Sequence, residues 1–562
     1  MVSYPELRRD AVTNDKRVRQ SLELLYHWEQ IAPDRVYLRQ LEGGEFIDFT
    51  WAQFADRVRR LAAWLRTQGY SDGMRVAIYS KNTYDWMVCD LAIAMASCVS
   101  VPLYAGQAAE QISFILDHSR CELAFVGKLD DARSWLEGCP AHIRQVAMYG
   151  CELALEDSTG AIHDSTGPLQ GQPVLPADAL SSIVYTSGTT GTPKGVMITV
   201  DMMTALDSAD INPFEVGPDD RMISYLPLAH IAERVLVEGS SLVHGYSVGF
   251  AESTESFIHD LHKIQPTIFF SVPRLYTKFK QGIEARIPPA LIAVIRRTPL
   301  LRELLGKFIR KQLGFSAVRA FIVGAAPTPP EVLHWYKTLG MPLLQGYAMT
   351  ENMSYAVGAT SPDYPEKSVG KTFPGVEVKI SGEEEILFRG PTIMRGYYLE
   401  PEKTAETVID GWLHTGDSGH LDAEGYLYVT GHISETFKTA KGKFINPTVV
   451  ENRFGDQSLL EQLCIIGLGM VHPVLVATAS ELGRAMQRDG FAESVKALVE
   501  DVNAQCESHQ KMAAVLISDV DWSPENGLLT PTLKLRRKQI DAIYRPIAEA
   551  SQGGDFVQFV TK

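Results

Sequence analysis

The chain has no Cys-x-x-Cys pair, and its 7 cysteines are an odd number in 562 residues. A disulfide framework and a cysteine-based zinc site are therefore not expected; reduced thiols are. No apolar run reaches the roughly 18 residues that a membrane span needs. The most apolar stretch, Leu91 to Gly106, is interrupted by Ser97, Ser100 and Pro102 and predicts a buried helix followed by a strand. Met1 to Arg17 is charged and lacks an apolar core, so no signal peptide is expected. The expected location is cytoplasmic. Basic charge is in deficit too: 53 Lys and Arg stand against 68 Asp and Glu, a net charge of −15. A general nucleic-acid binder would need a basic face and is not expected. A local basic pocket for an anion stays open. There is no fixed-period repeat and no low-complexity tract.

What is present reads as alternating layers. Phe54, Val58, Leu61 and Leu65 recur at helical spacing, and Gly69 follows as a stop. Short apolar runs at 75–82, 123–128, 181–187, 222–227, 266–273 and 320–327 read as strands, several leading through Gly, Ser or Pro into helical patterns. That alternation predicts an α/β fold with largely parallel sheets and ligands beyond the carboxyl ends of the strands. Near residue 430 the chain turns Gly- and Lys-rich. The predicted division is 1–431, a large N-terminal part of several subdomains with layered α/β sheets, and 432–562, a small α+β C-terminal domain. The tail predicts strands near 463–468, 474–477 and 513–517, and one long helix over Glu481–Cys506.

The densest chemistry lies in Tyr185-Thr-Ser-Gly-Thr-Thr-Gly-Thr-Pro-Lys-Gly195, directly after a predicted strand. Gly188, Gly191 and Gly195 let backbone NH groups turn inward as an anion nest. Thr186, Ser187, Thr189, Thr190 and Thr192 add hydroxyls, and Lys194 adds a charge. This suits a polyphosphate, yet it is not a GxxxxGK[ST] loop. By composition alone it would also suit a hydroxyl-rich surface loop.

The full string resembles the phosphate loop of the adenylate-forming superfamily of acyl-CoA synthetases, firefly luciferase and peptide-synthetase adenylation domains. Further segments agree in the family's order. Gly324-Ala325-Ala326-Pro327 resembles its adenine-side loop. Gln345-Gly346-Tyr347-Ala348-Met349-Thr350-Glu351 resembles its Gly-Tyr-Gly-Met-Thr-Glu element. Trp412 to Asp417 resembles its ribose-binding segment, and Leu529 to Lys534 its C-terminal motif. The likeness runs from about residue 20 to 545. Leu226 to Arg234, Ser271 to Tyr276, Pro342 to Tyr347 and Leu529 to Arg537 resemble the long-chain fatty acyl-CoA synthetases in particular.

The resemblance implies ATP, Mg²⁺ and coenzyme A as co-substrates and cofactor, a fatty acid as substrate, and a mobile C-terminal domain. It implies that Lys534 clamps the carboxylate and ATP. It gives Thr350 a phosphate role and Glu351, with Thr190, the metal. It gives Asp417 the ribose, Tyr347 the adenine, and Tyr428 and His432 further nucleotide contacts. His230 is placed near the acyl carboxylate and the thiol path. Lys438 aligns with a lysine that some relatives use in thioester formation. Residues 230–275 are expected to line the acyl tunnel. Read in isolation, Lys534 among Arg536, Arg537 and Lys538 would be a solvated lysine, and Glu351 and Asp417 would be cap or surface acids. The spacing of His230 and Glu233 lacks a third metal ligand.

The hinge departs from the family's Gly-Arg-x-Lys pattern. Gly431 is followed by His432, Ile433 and Ser434. Replacing Arg by His removes a permanent charge and a two-pronged donor. Losing one charged hydrogen bond costs on the order of 1.5–3 kcal/mol. Two other readings stay open: transfer of the acyl group to a carrier protein, and a non-catalytic nucleotide-binding homologue. Peripheral membrane contact also stays open, although the sequence shows no strongly basic amphipathic helix.

Overall fold

The computed structural model describes residues 19–187, 192–208, 215–284, 286, 298–455, 457–523, 526–530, 534–550 and 554–560. Its architecture is layered α/β, as the alternation predicts. The largest sheet has seven strands in the order Asp157–Ser158, Arg144–Ala147, Cys121–Val126, Arg75–Tyr79, Val99–Leu103, Leu180–Ser187 and Pro193–Thr199. All neighbours are parallel except the last pair, a hairpin whose register sets Thr186 opposite Lys194. The two ends of the expected phosphate loop thus lie on the paired strands of that hairpin; 188–191 between them lie outside the described residues.

A second sheet is ordered Arg221–Ser224, Ser247–Phe250, Val36–Glu42 and Glu45–Thr50. A third places Ile268–Ser271, Ala320–Val323 and Leu343–Tyr347 side by side in parallel. A fourth, antiparallel, carries Trp412–Leu421 paired with Leu427–His432. The β-branched and aromatic strand residues are buried on both faces of the parallel sheets, as sheets covered by helices require.

Helices form where the apolar spacing requires them. Trp51–Thr67 begins with a capping box in which Thr50 and Gln53 satisfy each other's backbone NH groups. Phe54, Val58, Leu61 and Leu65 form its buried face. Leu91 to Gly106 is, as expected, the end of a buried helix, Tyr84–Met95, and a strand, Val99–Leu103.

The C-terminal part has its own sheet, ordered Leu460–Ile466, Val474–Ala479, Ala514–Ser518 and Val557–Val560. The long helix expected over Glu481–Cys506 is corrected to two, Glu481–Ala485 and Arg488–Ala504. Met486 leaves the helix as an extended C-cap and Gln487 starts the next, an interruption that periodicity alone does not reveal. Among the described residues, the apolar clusters of the two parts do not mix. One includes Leu427 and Val429, and the next begins at Phe437.

The helix Pro299–Gln312 corrects another expectation. It is basic and amphipathic, but its apolar stripe faces outward. Periodicity shows that a stripe exists; tertiary packing decides which way it points.

Candidate active site

Two strand ends build one wall. Ala320–Val323 and Leu343–Tyr347 are adjacent parallel strands, so the loops after them emerge together. A Cβ on Gly324 would lie 3.1 Å from the Gly346 carbonyl oxygen, which brings the Gly324–Pro327 loop against the Gln345–Glu351 segment. Ala325 is left-handed at φ 67°, and Met353 and Ser354 at 56° and 51°. Such conformations are costly for non-glycine residues and cluster at functional sites. The Gln345 side chain donates to the Glu366 and Ser368 carbonyls at 3.0 and 2.8 Å, so it braces the wall.

The Tyr347 hydroxyl donates to Asp417 at 2.6 Å. Across the antiparallel pair, Asp417 lies opposite His432, whose imidazole contributes an attractive charge interaction. Burial pushes the Asp417 carboxyl up, against the opposing pull of Tyr347, His432 and Lys534. Tyr428 does not join this group. Its hydroxyl donates to Asp422 at 3.0 Å, and its ring stacks on His420.

Thr350 and Glu351 are buried in a single 3₁₀ turn, Thr350–Asn352. The turn is closed by the Asn352 side-chain oxygen, which accepts from the Met349 NH at 2.9 Å. Glu351 accepts from the Tyr397 hydroxyl at 2.8 Å. Lys194 sits over the Tyr397 ring, 4.9 Å from its centroid. Burial raises the Glu351 carboxyl, while Tyr397, Lys194 and Lys534 hold it down. Among the described residues no group of three or more His, Cys, Asp and Glu could hold a metal by itself. A buried carboxylate beside a phosphate loop still fits Mg²⁺, which usually takes one or two carboxylates and completes its shell with phosphate and water oxygens. Gly188, Thr189, Thr190 and Gly191 lie outside the described residues, Thr190 being the expected second metal donor.

Lys534 reaches this group from the C-terminal part. Its ammonium acts electrostatically on His230, Glu351 and Asp417 at once. Its backbone is held at both ends by Thr530, whose NH donates to the Lys534 carbonyl and whose hydroxyl accepts from the Lys534 NH. Three residues on, Arg537 forks onto Glu451 at 2.5 and 2.9 Å and reaches Glu435 at 3.5 Å. That anchor ties the lysine loop to the hinge. Lys438 stays outside the cluster, exposed on the hairpin Phe437–Lys438 and Phe444–Ile445, with its ammonium over the Phe444 ring.

Gly431 explains why the hinge needs a glycine. A Cβ there would meet the Asn446 amide nitrogen at 2.2 Å. Asn446 in turn donates to the Thr430 carbonyl at 3.2 Å, joining the two parts across the hinge. Arg274 and Glu461 add an ion pair between them.

A cradle of this kind, assembled from five separated segments, can be compared with known proteins. The model of the AMP-binding enzyme family matches residues 25–398. The chain belongs to that family. The family's C-terminal domain model matches residues 435–550. The long-chain-fatty-acid–CoA ligase of Mycobacterium tuberculosis is 28% identical over 93% of this chain and 96% of its own length. Peroxisomal long chain acyl-CoA synthetase 7 of Arabidopsis thaliana is 31% identical over 89% of this chain and 81% of its own. Among solved structures, the adenylation domain of a carboxylate reductase from Mycobacterium chelonae aligns with a TM-score of 0.82, covering 97% of this chain and 93% of that one, at 22% identity. That last likeness speaks for the fold alone.

In this AMP-binding enzyme two residues of the cradle escape motif reading. Tyr397 lies in a Gly-Tyr-Tyr segment with no obvious signal; it comes to Glu351 because its segment bridges to Val196 and the Met394 NH donates to the Glu351 carbonyl at 2.7 Å. Arg537 is hidden among other basic residues and is recognised only by its buried fork.

His230 caps the short helix Ile231–Glu233, its Nδ1 accepting from the Ala232 NH at 3.1 Å. The proton of the neutral ring is therefore on Nε2. Burial, then the charge of Lys534, pushes its pKa down to about 4. Glu233 turns into the core instead, taking the Ser224 hydroxyl and Tyr225 NH, and burial pushes it up to about 8. The pair does not converge on a metal. Histidine-labelled protein should show the His230 resonance, assigned by its loss in His230→Gln, titrating near pH 4. A midpoint near 6.5 would place the ring in water instead. The folded state binds fewer protons than the unfolded one between those values, so His230's contribution to stability falls as pH drops through that window.

The hinge makes a second prediction. His432→Arg combined with Ser434→Lys should raise nucleotide affinity or turnover by about tenfold, the worth of one charged hydrogen bond. Both half-reactions should be timed. Unchanged rates in each would remove the hinge from any account of this enzyme's activity.

Proposed function

We propose that this AMP-binding enzyme is an ATP-dependent long-chain fatty acid–CoA ligase. The observation that carries the reading is the cradle in which Tyr347 meets Asp417 at 2.6 Å and Tyr397, with Lys194 over its ring, meets Glu351 at 2.8 Å, while the charge of Lys534 acts on His230, Glu351 and Asp417. These are the residues expected to meet the acyl carboxylate, the metal and the ribose.

A carboxylate is a poor acyl donor because its leaving group would be oxide. Its oxygen attacks the α-phosphorus of ATP, the bond to the bridging oxygen breaks, and pyrophosphate leaves. The mixed anhydride then has AMP as its leaving group. The thiolate sulfur of coenzyme A attacks the acyl carbon, and AMP departs with the electron pair. Both partners in the first step are anions, so the site must hold them together against repulsion. Lys194 and Lys534 supply that charge. Asp417 accepts from the ribose hydroxyls, and Tyr347, tied to Asp417, lies against the adenine. Thr350 donates to phosphate. Glu351 and Thr190 would hold Mg²⁺, which would supply neutralising charge to the phosphates. Neutral His230 lines the acyl carboxylate's side and keeps its Nε2 proton as a donor.

The proposed division is 1–431 for the nucleotide and acyl sites and 432–562 for the domain carrying Lys534. A swing of that domain would exchange Lys534 for the hairpin bearing Lys438 when the thiol enters.

The test is one incubation with ATP, Mg²⁺, coenzyme A and a mixture of medium- and long-chain fatty acids, read by mass spectrometry. AMP together with long-chain acyl-CoA supports the ligase. Acyl-adenylate without acyl-CoA would assign another acceptor, such as a carrier protein, which the altered hinge favours as the second reading. Nucleotide binding with neither product would make the chain a non-catalytic homologue.

A further inference from the structure

The helix Pro299–Gln312 is seated tightly on the body of the protein. A Cβ on Gly306 would lie 2.2 Å from the Leu339 carbonyl oxygen, and Ile309 is buried. Arg310 donates to the Val318 and Gly340 carbonyls from the flank. The opposite face should be polar. Instead Leu300, Leu301, Leu304 and Phe308 are 66, 37, 54 and 57% exposed. At 3.6 residues per turn these four fall within one arc of about 100°. Lys307 stands about 20° outside one edge of that arc and Lys311 about 20° inside the same edge; both are exposed, and Lys307 is paired with Glu303 at 2.8 Å. With Arg302 and Arg310 against Glu303, this helix is strongly cationic in a chain whose net charge is −15.

We propose that this face docks on an anionic lipid bilayer. Large apolar side chains grouped on a solvent-facing helix are costly to hydrate and mark an interaction surface. Flanking lysines suit phosphate headgroups, while leucines and a phenylalanine suit the acyl boundary. A second copy of the chain is a poorer occupant, because pairing two such faces would bring their cations together. The helix lies on the surface and does not cross it: among the described residues no helix is long and apolar enough to span a membrane. The body of the protein is acidic and repelled by the same surface. Docking must then be local, and salt must weaken it within the short screening length.

The binding is independent of the reaction proposed above and is read without it. Purified protein is floated with vesicles of phosphatidylcholine containing about 30% phosphatidylglycerol, and with phosphatidylcholine alone, at low and high salt. Wild type should float with the anionic vesicles at low salt. Leu304→Ser with Phe308→Ser should lower the partition coefficient at least about tenfold. Lys307→Glu with Lys311→Glu should abolish the preference for anionic vesicles. All four positions are exposed, so an unchanged melting temperature certifies the fold of each variant. Wild-type protein that stays with the aqueous phase, or variants that float like wild type, overturn the proposal. So does a wild type that is dimeric by light scattering without vesicles and becomes monomeric in Leu304→Ser, which would make this face a subunit interface.

Discussion

Lys534→Ala is expected to lower acyl-adenylate formation by about 10²–10³-fold, the cost of removing one preorganised charge from a transition state. Thioester formation from supplied acyl-adenylate should fall much less. The reason is geometric. Lys534 brings a positive charge from the C-terminal part to His230, Glu351 and Asp417 together. It therefore stands where two anionic reactants must be brought in line. The side chain is exposed, so truncation leaves no cavity and should not unfold the domain. ATP–pyrophosphate exchange measures the first half-reaction and a thiol-consumption assay the second. Equal losses in both would show that Lys534 acts on the fold or on domain placement, and not on adenylation.

Glu351→Gln is expected to lower adenylation by about 10²-fold and to raise the Mg²⁺ concentration needed for half-maximal rate. The substitution keeps the side-chain volume and leaves an oxygen to accept from the Tyr397 hydroxyl. What it removes is the negative charge. Stability should move the other way. Burial raises the pKa of Glu351 in the folded state, so the folded state binds more protons than the unfolded state near that pKa. Stability then declines as pH rises through the window above about 4.5. Gln carries no such penalty, and the variant's melting temperature should equal or exceed that of wild type at pH 8. A variant that is both inactive and unstable would make Glu351 a packing residue.

Much of this was legible in the sequence because it depends on local patterns. Alternating apolar runs specify strands and helices whose faces must be buried, and their order specifies a layered α/β arrangement. The ends of those strands and the loops beside them hold Lys194, Gly324 to Pro327 and Gln345 to Glu351, so the nucleotide side of the site follows from chain order. The hinge substitutions His432 and Ser434 are likewise visible without coordinates. Other features are set by contacts between segments far apart in the chain. Tyr397 meets Glu351 because its segment bridges to the strand bearing Val196 and hydrogen-bonds to the Glu351 carbonyl through the Met394 NH. Arg537 becomes an anchor only when the fold buries it against Glu451. The break at Met486 and Gln487 and the outward turn of Leu304 and Phe308 have the same origin. Periodicity records that a helix has an apolar stripe. Which stripe is covered, and which side chain loses its water, depends on what the rest of the chain packs against it, and that was decided by the tertiary structure.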